Sequence, residues 1–243
     1  MSGGFSNVYD DRDRAAAYAG LEFPGTYSLA FRDLPSIIGS HAHGTKALDF
    51  GCGTGRSTRF LGELGFDALG VDISEHMLAR ARERDPEREY RLVPDGELGG
   101  LAEGSFDVVL SAFTFDNVAT AEKKVTLLHS LQRLLTGGGV IVNLVSTPDI
   151  YLNEWASFST KDFPENRLAR SGEKVRIVML DVGDRRPVED ILWTDEDYQD
   201  VYRRADLMPL QTYRPLARRS DAVSWVSETT IAPWVIYVLG RSA

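Results

Sequence analysis

The chain has 243 residues, 43% hydrophobic and 26% charged, an ordinary globular balance that suits one domain with or without a cap. Its net charge of −9, from 36 Asp plus Glu against 27 Lys plus Arg, argues against a nucleic-acid backbone as main partner, because phosphates call for clustered cations. A single cysteine, Cys52, excludes an internal disulfide, a cysteine metal cage and an iron–sulfur cluster.

No run approaches the roughly 18–20 apolar residues that cross a bilayer. The opening MSGGFSNVYDDRDR is polar and acidic, unlike a secretory leader. A cytoplasmic protein with no membrane partner is expected. His41 and His43 form an HxH pair with nothing to complete a metal site, so no metal is expected. The stretch RARERDPEREYR (80–91) is mixed in sign and reads as a solvated helix end.

KALDFG (46–51) is a short β-rich run ending at glycine, and RSTRFLGELG (56–65) carries Phe60, Leu61 and Leu64 at helical spacing. ALGVD (68–72) is a second strand. Ser74 is a good N-cap for a helix to about Glu83. EYRLV (89–93) is a third strand. FDVVLSAFTF (106–115) is a fourth, nearly all apolar as a strand buried on both faces should be. VTLLHSLQRLL (125–135) has a helical apolar face and stops at Gly137–Gly139, and VIVNLVS (140–146) is a fifth strand. Alternating strands and helices predict an α/β fold with a parallel sheet. After Ser146 the pattern changes. Residues 174–193 read as two strands joined by a Gly-Asp turn, and 194–207 as a helix opened by a Thr194/Asp197 capping box. PLQTYRPL and APWVIYVLG close the chain as strands.

The loop LDFGCGTG (48–55) follows a strand and opens a helix, the context of a nucleotide fingerprint. The dinucleotide form is G-x-G-x-x-G; here Gly51, Gly53 and Gly55 fall as G-x-G-x-G and Arg56 takes the sixth place. Asp49, two residues before Gly51, would repel a pyrophosphate and welcome an ammonium or sulfonium. Capping of the following turn is the other reading of Asp49. Asp72 ends the second strand, where a carboxylate accepts from both hydroxyls of a ribose; that placement alone serves NAD equally. Asp95, Gly96 and Glu97 follow the third strand, at an adenine edge or simply as an acidic turn.

ALDFGCGTGRSTRFL, GVDISEHMLARAR, VPDGE and SFDVVLSAFTF, in this order and spacing, resemble class I S-adenosylmethionine-dependent methyltransferases of the small-molecule type. The four motifs span 47–115, and GGGVIVNLV extends the likeness to about 145. The resemblance implies a Rossmann-like doubly wound seven-stranded sheet, its last, antiparallel strand APWVIYVLG beside the fifth. It divides one domain into N-terminal cofactor-covering helices (1–45), a cofactor-binding core (46–146), a substrate cap (147–193) and a C-terminal helix and strands (194–243).

It also implies S-adenosyl-L-methionine as cofactor. The loop Gly51, Cys52 and Gly53 would pack on the methionyl part and Asp72 would hold the ribose. Ile73 and Met77 would sandwich the adenine, with Asp95, Gly96 and Glu97 at its edge; a core role for Met77 is the other reading. Ser111 to Phe113 would border the transferred methyl, and Tyr18 and Thr26–Tyr27 would close over the methionine carboxylate.

Alignment and water exclusion suffice for methyl transfer unless the acceptor must lose a proton. Asp116 and Asn117, just after the fourth strand, are candidate bases or helix caps, so no catalytic base is assigned; His129 and Cys52 read as structural. The cap carries Tyr151, Trp155, Phe158, Phe163 and Trp193; Phe115 and Trp155 are the residues expected to meet the acceptor. Residues 147–200 hold 13 Asp plus Glu against 7 Lys plus Arg, favouring a neutral or cationic metabolite over a nucleic acid. The expected activity is methylation of an O, N or C atom of a small molecule by a monomer or homodimer. A non-catalytic cofactor-binding or partner subunit is the alternative. An NAD-dependent oxidoreductase is opposed by Arg56 and Asp49.

Overall fold

The structure, a computed structural model, describes residues 25–94 and 97–242. Tyr18, Asp95 and Gly96 lie outside the described residues. Ten strands are present among the described residues: β1 (Lys46–Phe50), β2 (Asp67–Asp72), β3 (Glu89–Leu92), β4 (Phe106–Ala112), β5 (Leu135–Ser146), β6 (Phe158–Ser159), β7 (Lys174–Met179), β8 (Val188–Ile191), β9 (Leu207–Tyr213) and β10 (Trp234–Arg241). Six α-helices accompany them: α1 (Thr26–Arg32), α2 (Leu34–His41), α3 (Arg56–Glu63), α4 (Glu75–Arg84), α5 (Ala121–Leu134) and α6 (Asp195–Arg204).

Seven strands form one sheet in the order β3-β2-β1-β4-β5-β10-β9. β1 pairs in parallel with β2 (Leu48 beside Leu69) and with β4 (Leu48 beside Val109). β10 runs antiparallel between β5 and β9, as the resemblance implies. The order reverses between β1 and β4, and at such a point the loops at the strands' carboxyl ends part to leave a crevice.

The central strands are mostly apolar because both faces are covered, with Asp49, Ser111 and Asn143 as buried polar exceptions. Along β4 and β5 the side chains alternate: Val108, Leu110, Val140, Val142 and Leu144 join the cluster under α1, α2 and α3, while Val109, Ile141 and Val145 join that under α5 and α6. Period-2 alternation inside mostly apolar runs thus builds two cores from one sheet.

The structure moves several predicted boundaries. β4 ends at Ala112, not Phe115; Phe113 turns into the left-handed region and a 3-10 turn follows over Thr114–Asn117. α5 starts four residues earlier than the apolar face indicates, because the Thr120 hydroxyl caps it by accepting from Lys123 N. β5 begins at Leu135 and carries Gly137–Gly139 inside it, at a register shift against β4. α6 stops at Arg204, and β9 starts at Leu207.

Residues 147–193 fold over the carboxyl ends of the strands. The predicted hairpin forms as β7 and β8, with Ile177 beside Val188, and β6 adds a third strand with Phe158 beside Met179. α1 is tied to this cap. Glu228, fully buried, accepts from Thr26 Oγ1 at 2.6 Å and from the amides of Ala156 and Val226 at 2.7 and 2.8 Å. Ser157 and Thr26 exchange amide-to-hydroxyl bonds of 2.9 and 3.0 Å, and the Trp234 indole donates to Thr26 O at 2.9 Å. These bonds fix α1 as one wall of the crevice.

Candidate functional site

The turn between β1 and α3 has Gly51, Gly53 and Gly55 at φ of 76°, 53° and 78°, a region L side chains rarely adopt. At Gly51 a Cβ would lie 2.2 Å from Thr114 Oγ1, so the loop closes against the β4 turn only as glycine. Val71 O receives the amides of Gly51 and Cys52 at 2.8 and 3.0 Å, binding the loop to β2. Gly53 N and Ser74 N donate to the two oxygens of Asp72 at 2.8 and 2.9 Å. Asp72 therefore clasps the loop from β2 while facing the crevice, and its oxygens keep lone pairs for a ligand. Burial raises its pKa, against the lowering effect of those backbone donors.

Beside it Ile73 is 49% exposed, an unusual position for a large apolar side chain, and Met77 lies against the loop. Gly51, Cys52, Gly53, Asp72, Ile73, Met77 and Tyr27 all line one cavity of about 670 Å³. An apolar shelf beside a carboxylate, with a glycine cradle next to it, fits an adenosine.

Three residues expected at the cofactor stand elsewhere. Asp49 is fully buried behind the loop and off the cavity wall; its Oδ2 accepts from the hydroxyls of Ser57 and Thr58 at 2.7 and 2.6 Å. It anchors the start of α3, the turn-capping alternative. Burial pushes it up to about 6. Ser111 is fully buried on β4 and does not line the cavity. Glu97 is exposed and off the wall. Cys52 lines the cavity, but burial pushes its thiol well up, which keeps it protonated and inert.

The other half of the cavity is aromatic. Tyr27 stacks on Trp234 with centroids 5.6 Å apart; Phe113 lies 4.8 Å from Trp234, and Phe158 5.0 Å from Tyr27. All four rings line the cavity. Tyr27, expected at the methionine carboxylate, thus belongs to this aromatic group. Phe113 takes φ +63° to turn its ring, a local strain that the packed rings sustain. The two residues singled out for the acceptor do not reach it. Phe115 is fully buried against Phe50 on the α5 side, and Trp155 is 2% exposed with its indole donating to Ile150 O at 2.8 Å. Neither lines the cavity, because each packs beneath it as core.

Asp116 does line it, at 4% exposure, and burial followed by the nearby Asp190 pushes it up to about 7. The Ser146 amide and hydroxyl donate to its Oδ2 at 3.1 and 2.8 Å. Asn117 also lines the cavity and donates to Phe113 O at 3.2 Å. Behind Asp116, fully buried Lys124 bonds the Phe115 carbonyl and lies 4.8 Å from the Trp193 ring, its amine pushed down to about 7 by burial. The sequence reading missed Ser146, Asp190 and Trp234 on this wall. Nothing in their local sequence marks them, since strand pairing alone brings them here.

His41 Nε2 lies 3.1 Å from the Tyr213 hydroxyl. Among the described residues, no group of three or more His, Cys, Asp or Glu is placed to hold a metal ion, and no helix is long and apolar enough to cross a membrane.

Comparison with known proteins places this geometry among relatives. A family described as "Methyltransferase domain" matches residues 48–143. The N-demethylindolmycin N-methyltransferase of Streptomyces griseus is 29% identical over 197 residues, 79% of this chain and 81% of its own length. A ubiquinone biosynthesis O-methyltransferase of Methylococcus capsulatus is 35% identical over 102 residues, 40% of this chain and 42% of the relative, so that likeness spans less than half of either. In three dimensions the chain is similar to the CcbJ methyltransferase of Streptomyces caelestis, with a TM-score of 0.66 at 19% identity, covering 91% of this chain and all of that one. At that identity the likeness speaks for the fold.

Proposed function

We propose that the chain is a class I S-adenosylmethionine-dependent methyltransferase, a reading that its likeness to a methyltransferase domain and to an N-methyltransferase supports, and that it methylates a small, ring-bearing metabolite held between the glycine loop and the aromatic cap. One observation carries the proposal: a single cavity of about 670 Å³ is lined by the loop at one end and by Tyr27, Phe113, Phe158 and Trp234 at the other. That volume falls in the usual range for small-molecule sites. The relatives named for indolmycin and for ubiquinone biosynthesis fit a small ring-bearing acceptor.

When bound, the cofactor supplies a methyl group on a positively charged sulfur. The chain's residues bind and orient. Gly51, Cys52 and Gly53 receive the methionyl end, Asp72 accepts from the ribose hydroxyls, and Ile73 and Met77 hold the adenine between apolar surfaces. Tyr27 on α1 and the cap exclude water and align the acceptor, which is the larger part of catalysis when the electrophile is already reactive. The acidic balance of 147–200 opposes a polyanionic substrate.

Calorimetric titration with S-adenosylhomocysteine and NAD tests the cofactor assignment, with micromolar binding of the first and none of the second expected. Transfer of label from methyl-labelled cofactor to a low-molecular-weight acceptor in a metabolite extract tests turnover. Cofactor binding with no transfer to any extract would favour the non-catalytic alternative.

A further inference from the structure

Four polar side chains outside the cofactor cradle meet on the aromatic wall of the cavity. Asp116 stands on the turn after β4, Ser146 ends β5, Tyr151 lies in the next 3-10 turn and Asp190 belongs to β8. All four line the cavity. The Ser146 hydroxyl donates to Asp116 at 2.8 Å, and the Tyr151 hydroxyl donates to Asp190 Oδ2 at 3.1 Å. Each carboxylate thus receives one hydroxyl donor of its own. Lys124 on α5 and Tyr198 and Tyr202 on α6 are further titratable neighbours of Asp116. None of the three lines the cavity, and the Lys124 amine is engaged by the Phe115 carbonyl and aromatic faces.

Two carboxylates sharing an aromatic enclosure are costly to keep ionised together. Lys124 offsets part of that cost at Asp116; a cation between the two carboxylates lowers it further, and the faces of Trp234, Tyr27, Phe113 and Phe158 attract the same charge. An alcohol would bring one donor and no charge, and a carboxylic acid would add a third negative group.

We infer that the acceptor atom is a protonatable nitrogen on a small aromatic molecule, received through its N–H groups by Asp116 and Asp190, with Asp116 taking the proton the nitrogen must lose. The inference rests on the methyltransferase reading and deepens it. An ammonium has no free electron pair. Transfer of one proton to the Asp116 carboxylate leaves a neutral amine, whose lone pair forms the new N–C bond as the C–S bond breaks with its electrons on sulfur. The nitrogen keeps its other hydrogens, so the product leaves as a methylated ammonium, and the proton on Asp116 passes to solvent. A carboxyl group pushed up to about 7 is suited to hold and release a proton near neutral pH.

The test uses matched acceptors on phenyl, indolyl and naphthyl rings, each as the ethylamine, the ethyl alcohol and the acetic acid. Each is titrated calorimetrically into wild-type protein saturated with S-adenosylhomocysteine, and turnover products are identified by mass. The amine of at least one set should bind ten-fold or more tighter than its alcohol and acid and should be N-methylated. Asp116→Asn and Asp190→Asn should each weaken amine binding ten-fold or more while S-adenosylhomocysteine affinity stays within two-fold of wild type. Asp116→Glu should recover part of the rate, and Asp116→Asn should lose the fall in rate below about pH 7. Should Asp116→Asn fail to fold, Asp190→Asn, at a half-buried position, carries the same comparison. Alcohol or acid binding as tightly as the amine, no amine binding, or variants that keep amine affinity would each overturn the inference. Loss of S-adenosylhomocysteine binding in the wild type would overturn the methyltransferase reading itself.

Discussion

Replacing Asp72 by asparagine separates two duties of one side chain. Its carboxylate accepts from Gly53 N at 2.8 Å and Ser74 N at 2.9 Å, so it holds the loop as well as facing the cavity. An amide in the same pose keeps one oxygen and turns an NH2 toward one of those two N–H groups. A buried donor left without an acceptor costs about 1–3 kcal/mol. Relief of charge burial works against that cost, because burial already raises the Asp72 pKa. The net loss of stability is expected near the low end, about 1 kcal/mol, or a fall of about 2–4 °C in melting temperature. The effect on cofactor is larger. A charged acceptor for the ribose is worth about 1.5–3 kcal/mol, so the dissociation constant for S-adenosylhomocysteine should rise about 10–100-fold. Thermal melts and calorimetric titration on the same preparation read both. An affinity within two-fold of wild type would refute the ribose role, and an unchanged melt would refute the clasp on the loop.

Asp49→Asn should alter the pH dependence of stability. The folded-state pKa of about 6 lies above the ordinary value of 3.8, so the wild type is favoured at low pH and loses up to about 3 kcal/mol as pH rises from 4 to 6. The variant should lack that slope, and denaturant unfolding at pH 4, 5, 6 and 8 will show parallel curves if the assignment is wrong. Gly51→Ala should destabilise the loop by about 1–2 kcal/mol through its positive φ alone, with the Thr114 clash added. The double variant Gly51→Ala/Thr114→Ala should recover part of the lost cofactor affinity in the same titration; no recovery would remove the Thr114 contact from the explanation. Phe115→Ala should cost about 3–5 kcal/mol in denaturant unfolding, as a fully buried ring does, while the folded fraction keeps its KM for acceptor. A raised KM without loss of stability would return Phe115 to the acceptor site.

The residues proposed for the cofactor were legible as one group because they are local in sequence. Gly51, Gly53 and Asp72 lie on two successive strand–loop units, and the parallel register that sets Asp49 beside Gly70 carries Asp72 to the loop. Positive φ needs glycine and a ribose needs a carboxylate at a strand end, so residue type and spacing together name the chemistry. Asp49 misled for the opposite reason. Its position two residues before the loop places it nearby, but strand alternation points its side chain to the buried face, where the hydroxyls of Ser57 and Thr58 receive it.

Alternation also explains the acceptor half. After β4 the chain departs from the extended state at Phe113, and this one left-handed residue decides which of Phe113, Phe115 and Asp116 faces the cavity. A run of apolar residues such as FDVVLSAFTF carries no mark of that turn. Asp190 reaches the site only because β8 pairs with β7 and packs against the turn holding Asp116, two segments 74 residues apart in the chain. In a hairpin sequence, Asp190 reads as an ordinary solvent-facing carboxylate. Ser146 and Tyr151 each donate to one of the two acids there. On the proposed reading, specificity would rest on pairings between the core and residues 147–193 that the glycine-loop motifs neither require nor reveal.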